Sequence, residues 1–192
     1  MESLFVSTGL VALAEIGDKT QLLAFILATR FKKPFPIISG ILLATILNHS
    51  LAGVIGAWIV SSLSPGTLHW ILGLSFIAMA AWTLIPDKLE ENKTSSLKNL
   101  GVFGTTAITF FLAEMGDKTQ LATVAMVAHY ANPIPVVIGT TLGMLVADVP
   151  AVFIGDKLGE KLPMRLIRTI VAIIFAALAV ATFLGLGEMI GG

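Results

Sequence analysis

The chain has 192 residues, 56% of them hydrophobic and only 12% charged, with a mean hydropathy of +0.92. A soluble domain carries about a quarter charged residues, so this composition excludes an ordinary globular protein and identifies an integral membrane protein. Zero formal net charge gives no basis for nucleic-acid binding, and the absence of cysteine removes disulfides, thiolate metal sites and thiol nucleophiles.

The N-terminus, MESLFVSTGL, has no basic n-region and no small-residue cleavage site, so it reads as the start of a spanning helix rather than a removable signal. A span takes about 20 apolar residues. Six segments qualify or nearly so: Leu4–Thr29, Phe35–Leu63, Leu68–Ile85, Gly101–Ala128, Ile134–Gly155 and Leu166–Leu186. Proline turns at Lys32–Pro36, Ser64–Gly66 and Asn132–Pro135 separate them, and Pro150 predicts a kink inside the fifth. The polar run Pro86–Leu100 divides the chain in half. The expected architecture is therefore all-α and polytopic. A three-helix unit over residues 1–86 is followed by a solvated linker at 87–100 and a second three-helix unit over 101–192.

The halves are copies at an offset of 99: Glu15 falls on Glu114, Pro34 on Pro133, Gly40 on Gly139, Phe76 on Phe175 and Thr83 on Thr182. Three is odd, so the second copy enters the membrane from the opposite face, the inverted-repeat arrangement of many secondary transporters. Loop charge agrees. Of the 12 lysines and arginines, one side receives Arg30, Lys32, Lys33, Lys88, Lys93, Lys98, Lys157, Lys161, Arg165 and Arg168, and the other side receives none. The positive-inside rule then assigns the basic loops to the cytoplasm and both termini to the opposite side.

The two remaining lysines sit in a nonapeptide that occurs twice, AEIGDKTQL from Ala14 and AEMGDKTQL from Ala113. Charged groups at bilayer depth cost about 2.5–3.5 kcal/mol each on insertion scales. Glu15, Asp18, Lys19, Glu114, Asp117 and Lys118 facing lipid would together oppose insertion by roughly 15–20 kcal/mol. They must face one another, water or an ion. If each motif is helical, Glu15, Asp18 and Lys19 share one face, as do Glu114, Asp117 and Lys118. Pseudo-two-fold symmetry then brings four carboxylates together near mid-bilayer, and the two lysines leave a charge of −2 that a divalent cation would neutralise. Thr20, Gln21, Thr119 and Gln120 add neutral oxygens, and an all-oxygen set suits hard cations such as Ca²⁺, Mg²⁺ or Mn²⁺. Gly17 and Gly116 admit two readings, close helix packing or a locally unwound backbone. The lysines read as counter-ions to the empty site. Crowded carboxylates take up protons when the ion leaves, which is a basis for metal/H⁺ antiport.

Asp148 and its repeat partner His49, beside Asn48, are intramembrane polar groups expected to support the site or relay protons. His69 and His129 read as solvated loop-edge residues, and scattered histidines without thiolates argue against a zinc or copper site. No nucleophile–base pair or cofactor-binding motif is present, so neither an enzyme nor a bound cofactor is expected. The alternative transporter reading is an exporter of small cationic solutes such as amino acids. The sequence neither requires nor excludes a homo-oligomer.

The pattern Glu15-Ile16-Gly17-Asp18-Lys19-Thr20, repeated as Glu114-Met115-Gly116-Asp117-Lys118-Thr119, resembles the duplicated motif of the GDT family of cation transporters. The resemblance covers nearly the whole chain. It implies a secondary transporter of Mn²⁺, with Ca²⁺ carried by some members, by exchange for protons at the acidic residues of both motifs. The chain resembles the compact bacterial inner-membrane form, which implies Mn²⁺ export. The residues alone give a hard divalent cation, and only the likeness supplies manganese.

Overall fold

A computed structural model describes residues 1–85, 100–154 and 164–184. The expected linker, the basic residues Lys88, Lys93, Lys98, Lys157 and Lys161, the side chain of Arg168 and the ends of two expected segments at Gly155 and Leu186 lie outside the described residues. Among the described residues every element is helical: α1 (Glu2–Glu15), α2 (Lys19–Phe31), α3 (Pro34–Ser62), α4 (Pro65–Thr83), α5 (Gly101–Glu114), α6 (Lys118–Tyr130), α7 (Pro133–Ile154) and α8 (Met164–Phe183). Three of these are long and apolar enough to cross a membrane, Pro34–Ser62, Pro65–Thr83 and Pro133–Phe153.

The first and fourth expected segments are not continuous helices. Each is broken at its motif, α1 from α2 and α5 from α6. The break is a three-residue unwinding in which Ile16 and Asp18 take extended ψ values of 116° and 170° around Gly17 at φ +76°. Met115, Gly116 (φ +72°) and Asp117 repeat it. An L-residue with a side chain is disfavoured at such a φ, so glycine fixes where the break falls. The premise that Glu15, Asp18 and Lys19 share a face of one helix is therefore corrected: Glu15 ends one helix and Lys19 begins the next. Of the two readings of Gly17 and Gly116, the unwound one holds. Elsewhere the proline turns work as expected, with Pro34, Pro65 and Pro133 opening α3, α4 and α7 in the first turn, where a missing N–H costs nothing. α7 runs on through Pro150.

Packing recurs between the copies. Gly40 of α3 lies so close to α5 that an added Cβ would sit 2.7 Å from Thr106 Cβ and 2.9 Å from the Phe103 carbonyl. Its counterpart Gly139 of α7 packs on Leu4 and Ser7 of α1, the positions equivalent to Phe103 and Thr106. Small residues matter here because lipid is as apolar as the protein interior, so helices associate through close contact rather than hydrophobic expulsion. Buried hydroxyls along these helices bond back to their own backbone, as in Ser7 to the Ser3 carbonyl and Thr109 to the Thr105 carbonyl.

Two apolar clusters result. One gathers Leu10 and Ala14 of α1, Leu72, Phe76 and Met79 of α4, Ala122 and Ala125–Ala128 of α6, Val136 of α7, and Val171, Phe175 and Ala179 of α8. Within it Phe76 and Phe175, counterparts in the two copies, stack at 6.4 Å. The other gathers Leu23, Ala24 and Leu27 of α2, Ile37, Ile41 and Ala44 of α3, Phe110 of α5 and Val152 of α7. The buried polar layer described next is built at the two breaks, where α1 and α5 end and α2 and α6 begin.

Candidate metal centre

Breaking a helix at Glu15 and restarting it at Lys19 turns Glu15, Asp18 and Thr20 inward from two directions. Glu15, Asp18, Glu114 and Asp117 are all at most 2% exposed. One carboxylate oxygen each from Glu15, Glu114 and Asp117 lie within 4.8 Å of one another. Oxygens around a single hard cation at about 2.0–2.6 Å stand no more than about 5 Å apart, so these three fit one ion. Asp18, expected as the fourth member, stands outside that set.

The lysines cross between copies. Lys118 Nζ lies 2.6 Å from Asp18 Oδ1, and Lys19 Nζ lies 2.8 Å from Asp117 Oδ1. Each motif thus pairs its lysine with an aspartate of the other. The threonines also hold inward positions: Thr119 donates to Glu114 Oε2 at 3.0 Å, and Thr20 is fully buried.

Gln21 and Gln120, expected among the ion's oxygen ligands, are committed elsewhere. Their carbonyl oxygens accept from the backbone N–H groups of Gly17 and Gly116, both at 2.7 Å. They hold the unwound turns in shape, supplying the partner that a broken helix denies its amides. Gln21 Nε2 then donates to the Ala147 carbonyl at 3.0 Å, while Gln120 Nε2 approaches Asn48 Oδ1 at 3.4 Å. Asn48 in turn donates to the Phe111 carbonyl at 3.0 Å, so it braces α5 against α3.

Asp148 is fully buried within electrostatic reach of Glu15 and Glu114, and neither of its oxygens has a hydrogen-bond partner among the described residues. It is a fifth acid beside the cluster. His49, its counterpart, is equally buried and unbonded at both ring nitrogens. Thr45 is buried one turn before Asn48 and went unnoticed in the sequence; its i, i+3 spacing from Asn48 was the available signal. Met115 is 56% exposed, unlike the buried acids. His69 and His129 are half-buried rather than solvated. Each packs edge-on to a phenylalanine, His69 to Phe183 and His129 to Phe76.

Three buried acids aimed at one point, with lysines already balancing part of their charge, can bind a small divalent cation and release it to a competing positive charge. The comparisons agree with that chemistry. The sequence profile of a family described as "Divalent cation/proton antiporter GDT1" matches residues 3–91 and 102–189. A protein of Vibrio cholerae serotype O1 named "Putative manganese exporter" is 50% identical over 183 residues, spanning 95% of this chain and 90% of that protein. "GDT1-like protein 3" of Oryza sativa subsp. indica is 30% identical over 208 residues, spanning 95% of this chain and 74% of its own. The Arabidopsis thaliana protein of the same name is 29% identical over 209 residues, spanning 95% and 70%. No solved structure matches the chain.

Proposed function

This chain belongs to the GDT1 family of divalent cation/proton antiporters, transporters rather than enzymes, and from that premise we propose that it exports Mn²⁺ in exchange for protons. The observation that carries the proposal is the convergence of Glu15, Glu114 and Asp117 on one point in the buried interior of the helices. All-oxygen donors suit a hard cation and leave no soft ligand to favour zinc or copper. Manganese is the cation named for the Vibrio relative, and the extent of that likeness favours Mn²⁺ over Ca²⁺.

The paired breaks support alternating access by inverted repeats. The carboxyl ends of α1 and α5 and the amino ends of α2 and α6 meet at the acids, as in transporters whose discontinuous helices hold the substrate near the midplane. The recurrence of the Gly40 and Gly139 contacts, and of the lysine–aspartate pairs, at the same offset supports a two-fold axis between the halves. Six spans follow if each broken pair counts as one, with the termini opposite the cytoplasm. Glu15, Glu114 and Asp117 hold the ion, with Thr20 and Thr119 beside them. Asp18 and the lysines balance charge, and Gln21, Gln120 and Asn48 keep the breaks open. Proton return to emptied carboxylates completes the cycle, with Asp148 and His49 as additional proton-bearing groups.

Purified protein in proteoliposomes tests this. With an acidic lumen, protons leaving the vesicle should drive Mn²⁺ inward, and collapsing the pH gradient should stop accumulation. Mn²⁺ uptake that ignores the gradient, or lysine transport without Mn²⁺ transport, would overturn it.

A further inference from the structure

The two motifs are almost identical in sequence, so any difference in their lysines comes from what surrounds them. Lys118 is 4% exposed in the side chain and Lys19 is 21% exposed, although each contacts an aspartate that is 1% exposed. The helices they begin differ likewise. α6 buries Lys118, Thr119, Ala122, Thr123 and the run Ala125–Ala128, whereas α2 buries only Thr20, Leu23, Ala24 and Leu27.

The cause is the placement of α4 and α8. They pack on each other, α4 lies against α6 and α8 against α1, and all four helices share one apolar cluster. Among the described residues neither α4 nor α8 forms a packed interface with α2 or α5, and the second cluster contains no residue from either. The covering pair therefore closes the end reached by the last turn of α6. It leaves uncovered the end where α2 finishes at the exposed residues Arg30, Lys32 and Lys33. An ammonium group is costly to leave among acyl chains, so we infer that the exposed part of Lys19 meets water on the side that α4 and α8 leave uncovered among the described residues.

Asp117 belongs to the three-acid set and Asp18 does not. A cation binding all three acids therefore competes with Lys19 for the Asp117 carboxylate, while Asp18, outside the set, keeps Lys118. Resting on the reading of these acids as the ion's ligands, we propose that Lys19 is the displaceable counter-ion at the access route from the basic end, and Lys118 a fixed lock behind the site. Lys19 yields because its ammonium has water to move into, whereas Lys118 has only protein around it.

The absence of native cysteine makes the test direct. Lys19→Cys and Lys118→Cys, each in the full chain in proteoliposomes, are exposed on one side at a time to a membrane-impermeant cationic methanethiosulfonate, and modification is followed by intact mass. The expected result is modification of K19C at least tenfold faster than K118C, from the Arg30–Lys33 end only, slowed severalfold by Mn²⁺. Equal rates, a faster K118C, or reaction of K19C from the opposite end would overturn the assignment. The metal-free rates report the asymmetry even if wild-type protein binds no Mn²⁺, a result that would sink the manganese reading alone. Where wild type does bind Mn²⁺, failure of the metal to slow K19C would refute displacement. Should either cysteine variant misfold, Lys19→Gln and Lys118→Gln carry the question through Mn²⁺ uptake. The first should lower the half-saturating concentration severalfold, because Asp117 no longer has to be vacated, and the second should not. The reverse order would refute the proposal.

Discussion

Gly9 and Gly116 form a natural pair for testing whether the spans are broken. Both have open space where a side chain would go, with nothing within 4 Å of an added Cβ, so neither substitution creates a clash. They differ in backbone. Gly9 lies inside α1, whereas Gly116 sits in the left-handed region at φ +72°. Alanine at position 9 should stabilise by about 0.5–1 kcal/mol, since glycine is the poorer helix residue. Alanine at position 116 should destabilise by about 1–2 kcal/mol, the cost of a Cβ beside the following carbonyl. The opposite signs are the informative part, because a continuous helix through residue 116 would make both changes stabilising. Thermal unfolding in detergent should therefore rise for Gly9→Ala and fall by about 2–8 °C for Gly116→Ala, by the scaling for chains of this size. Gly116→Asn should recover part of the loss, because asparagine tolerates the left-handed region. Mn²⁺ uptake by Gly116→Ala should fall as well, since the residues that follow the break are Asp117 and Lys118. Equal stabilisation by both alanines would refute the broken-helix account.

Glu15→Gln, Glu114→Gln and Asp117→Asn should each abolish Mn²⁺ uptake in proteoliposomes while leaving expression intact, and normal uptake by two of them would show that the three-acid cluster is not the site. Gln120→Ala removes the partner of the exposed Gly116 amide and should cost about 0.5–1.5 kcal/mol in detergent unfolding, the net worth of an ordinary hydrogen bond; no change would mean that water replaces the brace. Gly40→Ala drives a methyl group to 2.7 Å from Thr106 Cβ and should destabilise by about 1–3 kcal/mol, whereas Gly66→Ala meets nothing within 4 Å and should stay within about 0.5 kcal/mol. Similar melting temperatures for those two variants would argue against the close crossing of α3 and α5.

The sequence by itself determined the membrane class, the proline-opened helices α3, α4 and α7, the internal duplication and the acids that must be buried. Each of these follows from local chemistry: apolar length, missing amide donors, and charges too costly to leave in lipid. It also contained the breaks, in the sense that glycine stands at residues 17 and 116, but spacing alone allowed a packed helix or an unwound one. Only the three-dimensional structure decided between them, because glutamine stands four residues after each glycine in either form, and the left-handed backbone at Gly17 and Gly116 is what distinguishes the unwound one. It likewise set Asp18 against Lys118, Gln21 Nε2 against the Ala147 carbonyl and Gln120 Nε2 against Asn48, since those partners lie 100, 126 and 72 residues away along the chain. The unequal burial of Lys19 and Lys118 was beyond any reading of two near-identical motifs. The motif residues are the same; the difference arises from α4 and α8 resting against one pair of half-helices and not the other.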